Sequence, residues 1–176
     1  MRVQLILSTV VAFGLALAAT AENSSTKAKA SVQTLAAFER IKALAGAWEG
    51  EYSGAKGAIK HARYDVVSNG MAVILMMDWG STGNMATVFH LDGDAIIATH
   101  YCPVGNQPRM RATIAGDSNA IHFKFQDATN LSDPSDWHMR HLRLLFDGPD
   151  RHTLHWTYLE NGKEEIGTFQ YSRSRK

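Results

Sequence analysis

Asn-Gly and Asp-Gly pairs divide the chain, and three of them are read as two-residue hairpin turns between runs rich in Val, Ile, Thr and aromatic residues: Asn69-Gly70, Asp92-Gly93 and Asn161-Gly162. Such pairs fit the two-residue turns of β-hairpins, so each predicts two antiparallel strands joined directly. Longer turn signals occur at 54–57, 80–83, 116–119 and 147–151. A chain divided in this way is expected to fold as a succession of short antiparallel strands.

Ten strands are predicted between these turns, at 47–53, 58–67, 71–79, 84–91, 95–102, 109–115, 120–126, 138–146, 152–160 and 163–173. Strands joined in sequence order favour an up-and-down barrel, because closure removes the two edges that an open sheet would expose. The predicted fold class is therefore all-β, an antiparallel up-and-down barrel of about ten strands. Its connections alternate between the two ends of the barrel.

One helix is predicted before the strands, over residues 31–45. Ser31 or Thr34 is available as its N-cap, and Gly46 ends it. The helix leads directly into the first strand, so we expect it to plug the end of the barrel where that strand begins. Its apolar residues recur at helical spacing: Leu35, Phe38, Ile41 and Leu44.

The first 21 residues have the pattern of a secretory signal peptide. Arg2 precedes an apolar run over 3–18, and Ala19-Thr20-Ala21 matches a small-x-small cleavage site. A retained membrane anchor is the alternative. We expect a secreted, periplasmic protein with a flexible leader over 22–30, one domain over 31–176 and no membrane span after cleavage.

Charge and cysteine content exclude several classes of function. The chain has 18 Lys and Arg against 17 Asp and Glu, which gives no electrostatic field for nucleic acid. Cys102 is the only cysteine, so a packed core must stabilise the domain without an internal disulfide. Motifs of serine hydrolases, zinc proteases and phosphate-binding loops are absent from the sequence. We expect a monomer that is not an enzyme, with a Cys102-dependent enzyme as the alternative.

Two polar connections, 103–108 and 127–137, are expected at the same end of the barrel, because each follows an odd-numbered strand of the meander. Barrel mouths commonly bind small molecules, with apolar walls below a few polar groups. Alternatively, these polar side chains only satisfy the amides of their own turns. The predicted ligand-binding residues are His100, Asn106, Gln107, Arg109, Asp127, Asn130, His138 and Tyr158, with Met110, Phe125 and Trp156 as apolar walls.

Arg109 could bind a carboxylate or phosphate bidentately. Strand alternation places it on the face opposite Met110, so this role would require a twist at the start of its strand.

A metal or haem site is the second hypothesis. His100 and Cys102 share one strand face, and imidazole with thiolate suits zinc or copper. Two ligands leave such a site incomplete, and His138 is the candidate third. Its orientation depends on the turn at 147–151. A five-residue turn directs His138, Arg140, Leu142, Leu144 and Phe146 inward, whereas a four-residue turn directs Met139 and His141 inward. The five-residue turn is favoured because it buries the apolar side chains of Leu142, Leu144 and Phe146.

The segment Gly46-Ala47-Trp48, at the start of the first strand, resembles the Gly-x-Trp of calycin-like barrels: lipocalins, fatty-acid-binding proteins and nitrobindin-like proteins. In those families an arginine of the last strand lies against the tryptophan, and Arg173 is the matching residue. The resemblance implies structural roles for Trp48 and Arg173. The stretch from Thr99-His100-Tyr101-Cys102 to Gly105-Asn106-Gln107-Pro108-Arg109-Met110 is similar to a group of secreted bacterial proteins without an assigned activity.

The sequence thus predicts a secreted barrel that binds a small, partly apolar ligand at its open mouth. A haem- or transition-metal-binding module is the first alternative. A structural envelope protein without a small-molecule ligand is the second.

Overall fold

A computed structural model describes residues 29–78, 83–116 and 119–175. The expected signal peptide and most of the leader lie outside the described residues. The described part contains one α-helix, one 3₁₀ turn (Ser68–Gly70) and ten strands. Their bounds are α1 (Val32–Lys42), β1 (Gly46–Tyr52), β2 (Ala55–Val67), β3 (Ala72–Asp78), β4 (Asn84–Asp92), β5 (Ala95–Tyr101), β6 (Gln107–Thr113), β7 (Ala120–Thr129), β8 (His138–Gly148), β9 (Arg151–Glu160) and β10 (Lys163–Arg173).

The ten strands form a closed antiparallel barrel in which each strand pairs with its neighbours in sequence and β1 also pairs with β10. The predicted fold class is confirmed. We call the end at which α1 lies the base, and the opposite end the mouth. Among the described residues, no helix has the length and apolar character needed to cross a membrane.

Strand alternation sets which side chains enter the core. Leu154 pairs with Phe169 in β9 and β10, and Met110 pairs with Phe125 in β6 and β7, as predicted. In the β4–β5 hairpin the turn residues are Gly93 and Asp94 instead of the expected Asp92-Gly93. This shifts the register by two residues, so the face of every side chain is unchanged.

The base is closed by α1. Ser31 is the N-cap, and its hydroxyl accepts a hydrogen bond from the Thr34 amide. Asp94, in the β4–β5 turn, accepts from the Ser31 amide and the Thr34 hydroxyl, both at 2.7 Å. These bonds dock the start of the helix on the barrel. Leu35 was expected in the plug but is 43% exposed, because the buried face of the helix consists of Thr34, Ala37, Phe38 and Ile41.

Arg173 joins the end of the helix to the last strand. Its guanidinium lies 4.3 Å above the Trp48 ring, so the contact implied by the Gly-x-Trp resemblance is present. It also donates to the Ala45 and Ala43 carbonyls at 2.9 and 3.1 Å. Because the last carbonyls of a helix lack intrahelical partners, Arg173 supplies them with donors. Trp48 donates to the Leu44 carbonyl at 2.7 Å, which completes the seal.

A β-bulge in β8 determines which side chains of this strand point into the barrel, which the sequence left open. Leu142 and Leu144 are buried in the core, as the favoured alternative predicted. The register shifts between Met139 and His141, so Arg140 is the extra residue. The bulge reverses the alternation, and Met139 is buried in the core instead of Arg140. The expectation that Arg140 points inward was therefore wrong; it lies 3.5 Å from Glu164.

Candidate ligand-binding site

A cavity of 350 Å³ lies at the mouth. Its floor includes Met85, Cys102 and Met139, which are all less than 9% exposed. Its lining comes from the strand ends and loops of the mouth: Tyr52, Met85, Cys102, Pro103, Val104, Trp137, Met139, Tyr158 and Glu160. The two polar connections identified in the sequence therefore meet around one opening.

Aromatic rings form the sides of this cavity. The rings of Trp137 and Tyr158 lie 5.6 Å apart, and the Tyr52 ring stacks on Phe169 at 4.6 Å. Tyr52 reaches this position because Gly167 has no side chain; a Cβ there would lie 2.9 Å from the Tyr52 ring. Burial, together with the nearby Tyr158 hydroxyl, raises the pKa of the Tyr52 phenol. The Tyr52 ring therefore offers flat apolar surface with a neutral hydroxyl group, and the Tyr158 ring adds a second flat surface.

Beneath the cavity lies a layer of buried polar side chains that we call the polar layer: Thr87, His100 and Trp156. The Thr87 hydroxyl lies 2.9 Å from Nδ1 of His100. The rings of His100 and Trp156 are 4.9 Å apart. Burial lowers the pKa of His100 to about 4, so its imidazole is neutral near pH 7.

The predicted loop residues hold the two mouth loops together. Asn106 donates from Nδ2 to the Trp137 carbonyl at 2.7 Å, and Asn130 donates to the Gly105 carbonyl at 2.6 Å. Gln107 also donates to the Gly105 carbonyl, and it accepts from the Thr129 hydroxyl at 2.8 Å. These amides are not part of the cavity lining. They connect the β5–β6 loop with the end of β7 and the β7–β8 loop.

Arg109 and Asp127 lie away from the cavity. Arg109 is on the outer face of β6 and donates from Nε and Nη2 to both carboxylate oxygens of Asp127, at 2.6 and 2.5 Å. The guanidinium lowers the pKa of the Asp127 carboxyl. The start of β6 follows ordinary strand alternation and does not make the twist that a ligand-binding role for Arg109 would require. The guanidinium of Arg109 already has a carboxylate partner.

His138 occupies a gap between β7 and β8. Pairing of these strands ends at Lys124 and His141. Beyond that point the Phe125 ring lies 5.1 Å from the His138 ring. Nδ1 of His138 lies 2.6 Å from the Asp136 carbonyl, so the loop covers the ring. His138 is buried but does not line the cavity.

The three residues of the metal hypothesis, His100, Cys102 and His138, are not brought together as a ligand set. Across residues 29–78, 83–116 and 119–175, no three His, Cys, Asp or Glu side chains are grouped to hold a metal ion. Cys102 lines the cavity, His100 lies one layer deeper, and His138 lies between strands. Burial raises the pKa of the Cys102 thiol, which favours the protonated form over the thiolate that metals and nucleophilic chemistry require.

Several lining residues were not predicted from the sequence: Tyr52, Pro103, Val104, Trp137 and Glu160. The sequence could have indicated Trp137, because a tryptophan in an otherwise polar loop usually packs against other side chains. The orientation of Met139 could not be settled from the sequence, because it depends on the bulge at Arg140.

No protein-family model matches the chain, and no curated protein matches its sequence. Among solved structures it is similar to Rv2717c from M. tuberculosis, with a TM-score of 0.57 and 13% identity, covering 79% of this chain and 98% of that one. It also matches the S-type phycobiliprotein lyase CPES from Guillardia theta, with a TM-score of 0.36 and 10% identity, covering 83% and 99% of the two chains. The likeness to Rv2717c concerns the fold. The described residues of this chain form a closed ten-stranded antiparallel β-barrel.

Proposed function

We propose that this protein binds a small, largely apolar molecule in the cavity at its mouth. The observation that carries the proposal is the 350 Å³ cavity, whose walls are methionine, cysteine and aromatic side chains. Binding sites for small molecules are concave and mostly apolar, with few polar groups. The opposite end of the barrel is sealed by α1, so the ligand enters from the mouth.

The size and walls of the cavity limit the ligand. A volume of 350 Å³ is near the lower end of ordinary ligand pockets, which suits a molecule of one or two rings. Trp137, Tyr158 and Tyr52 would stack against flat surfaces. Met85 and Met139 would adapt to the ligand outline, since their thioether side chains are flexible and polarizable.

The sequence-predicted residues divide into three roles in this proposal. Tyr158 contacts the ligand, and His100 lies at the deeper end of the site. Asn106, Gln107 and Asn130 hold the loops that form the rim. Arg109, Asp127 and His138 stabilise the outer face and the gap between strands, and we propose no ligand contact for them.

The same proposal covers the setting in which the protein acts. We infer from the signal-peptide pattern of residues 1–21 that the protein is secreted to the periplasm, where it acts as a monomer. Amino-terminal sequencing of the mature protein from its own host tests the cleavage, and analytical ultracentrifugation tests the oligomeric state.

The binding proposal is tested with the neutral fluorescent probe N-phenyl-1-naphthylamine. The wild-type protein should bind it with enhanced fluorescence. Trp137→Ala should weaken binding by about tenfold, because it removes an aromatic wall worth roughly 1–2 kcal/mol. Tyr101→Ala is the matched control, since Tyr101 is 48% exposed on the outer face of the same end. No binding by the wild type, or equal loss in both variants, would contradict the proposal.

Native mass spectrometry of protein purified from its own host would then identify the ligand class. A bound mass that organic solvent releases, and that Trp137→Ala protein lacks, is the expected result.

A further inference from the structure

The polar layer lies directly below the cavity. Each member of the polar layer lies two residues deeper in the barrel than a residue of the cavity lining. Thr87 lies below Met85 on β4, His100 lies below Cys102 at the end of β5, and Trp156 lies below Tyr158 on β9. Side chains two positions apart on a strand share a face, and the strand rises about 7 Å over that interval. The cavity floor and the polar layer are therefore successive layers of side chains on the inner surface of the barrel.

Two ring nitrogens in this layer have unused hydrogen-bonding capacity. Nε2 of His100 and Nε1 of Trp156 are buried and have no hydrogen-bond partner among the described residues. Both side chains are at most 1% exposed. Buried polar groups are nearly always hydrogen-bonded, so two unpaired nitrogens on neighbouring rings require an explanation.

The chemistry of the two groups specifies what they would bind. The indole N–H of Trp156 can only donate, so its partner must be an acceptor. Nδ1 of His100 is engaged by the Thr87 hydroxyl, which leaves Nε2 directed elsewhere. When Thr87 donates to Nδ1, Nε2 carries the proton and is a second donor. One carbonyl oxygen, with two lone pairs, could accept from both rings.

Charge excludes an anionic acceptor. Among the residues that the structure describes, the cavity lining includes Glu160 and contains no Lys, Arg or His. His100 itself is neutral near pH 7, because burial lowers its pKa to about 4. A carboxylate would lose its water there without gaining a cation, which is costly.

We propose that the His100–Trp156 pair anchors an uncharged oxygen acceptor, such as a ketone or aldehyde carbonyl, of a ligand whose apolar body fills the mouth cavity. Met85 and Met139 form part of the cavity floor above the polar layer and would shift to admit the carbonyl group. The inference rests on the proposed binding function and adds the chemical class of the ligand. Thr87 acts as a positioning residue that sets the protonation of His100.

The test compares three naphthalenes of one shape by isothermal titration calorimetry: 2-acetylnaphthalene, 2-ethylnaphthalene and 2-naphthoate. The ketone should bind wild-type protein at least tenfold more tightly than the ethyl compound, and the carboxylate should bind most weakly. Trp156→Phe and His100→Phe should each reduce the ketone preference to about twofold. Thr87→Val, which keeps the side-chain shape, should reduce it in part.

A matched control is His90→Phe, on the outer face of the same hairpin as His100. Its ketone preference should equal that of the wild type. Equal affinity of the ketone and the ethyl compound for wild-type protein would overturn the anchor while leaving the cavity proposal in place. Failure of all three compounds to bind would overturn both. The wild-type comparison decides the matter even if a core variant does not fold.

Discussion

At the scale of single residues, the barrel contains neutral histidines where charged ones would be unstable. His152 packs edge-on against Trp48 at 4.4 Å and lies 3.0 Å from the Tyr64 hydroxyl. Burial, with a smaller contribution from Arg173, lowers its pKa to about 3. His100 is held neutral by burial alone. Sequence patterns suggested ligand or metal roles for His100 but identified no partner for His152, because its neighbours come from β1, β2 and β10.

These two histidines should make stability depend on pH. Their folded pKa values, about 4 and about 3, lie below the unfolded value near 6.5. The unfolded chain therefore binds more protons below pH 6.5, so the stabilising contribution is complete above that pH and is lost as pH falls toward the folded pKa. Between pH 6.5 and 4 the free energy of unfolding should decrease by up to about 1.4 kcal/mol per pH unit for each histidine.

Urea unfolding at pH 7, 6, 5 and 4 measures this effect. His100→Phe should have a shallower pH dependence than the wild type between pH 6.5 and 4. His61→Phe, at an exposed position of β2, should keep the wild-type slope. The wild-type slope in His100→Phe would mean that the buried imidazole takes up its proton without unfolding the barrel.

At the scale of elements, the closing contact between β1 and β10 is the tightest requirement on sequence. Gly50 pairs with Tyr171 across this seam. A Cβ at Gly50 would lie 2.0 Å from the Gln170 carbonyl oxygen, which is backbone and cannot rotate away. The seam therefore demands glycine for close approach of two strands.

Gly50→Ala should destabilise the protein by about 1–3 kcal/mol, the usual cost of overpacking, because the two strands must separate to accept a methyl group. The change in the midpoint of urea unfolding measures it. Glu49→Ala is the control on the same strand, where the side chain is exposed and a change within about 0.5 kcal/mol is expected. If the two variants are equally stable, the seam is more compliant than its geometry indicates.

Most of the fold was predictable because it follows from local signals. Turn residues located the strands, and alternation placed Leu154 opposite Phe169 and Met110 opposite Phe125. The bulge at Arg140 was not predictable, since one extra residue in a ladder has no distinct sequence signal here. That bulge decides that Met139 lines the cavity, so the site was harder to predict than the barrel around it.

At the scale of the whole molecule, the two ends are built differently. The base is sealed by α1, whose end receives hydrogen bonds from Arg173 and whose start is bound by Asp94. In the described part of the chain, the mouth is closed by loops, which are joined by amide hydrogen bonds such as that from Asn106 to Trp137. Regions with few buried contacts open more readily than a packed core. We therefore expect the base to be rigid and the mouth to open locally, as ligand entry requires.

Asn106→Ala tests this division. The Asn106 side chain is buried, and its bond to the Trp137 carbonyl joins the β5–β6 loop to the β7–β8 loop. Loss of one such bond, worth about 1 kcal/mol, should speed amide hydrogen exchange over 130–137 by about fivefold and leave α1 unchanged. Binding of the fluorescent probe should weaken as well, because Trp137 forms a wall of the cavity. Arg111→Gln, which breaks an exposed ion pair with Asp92 near the base, should alter neither measurement at the mouth. Faster exchange throughout the barrel in Asn106→Ala would instead show that the mouth and base open as one cooperative unit.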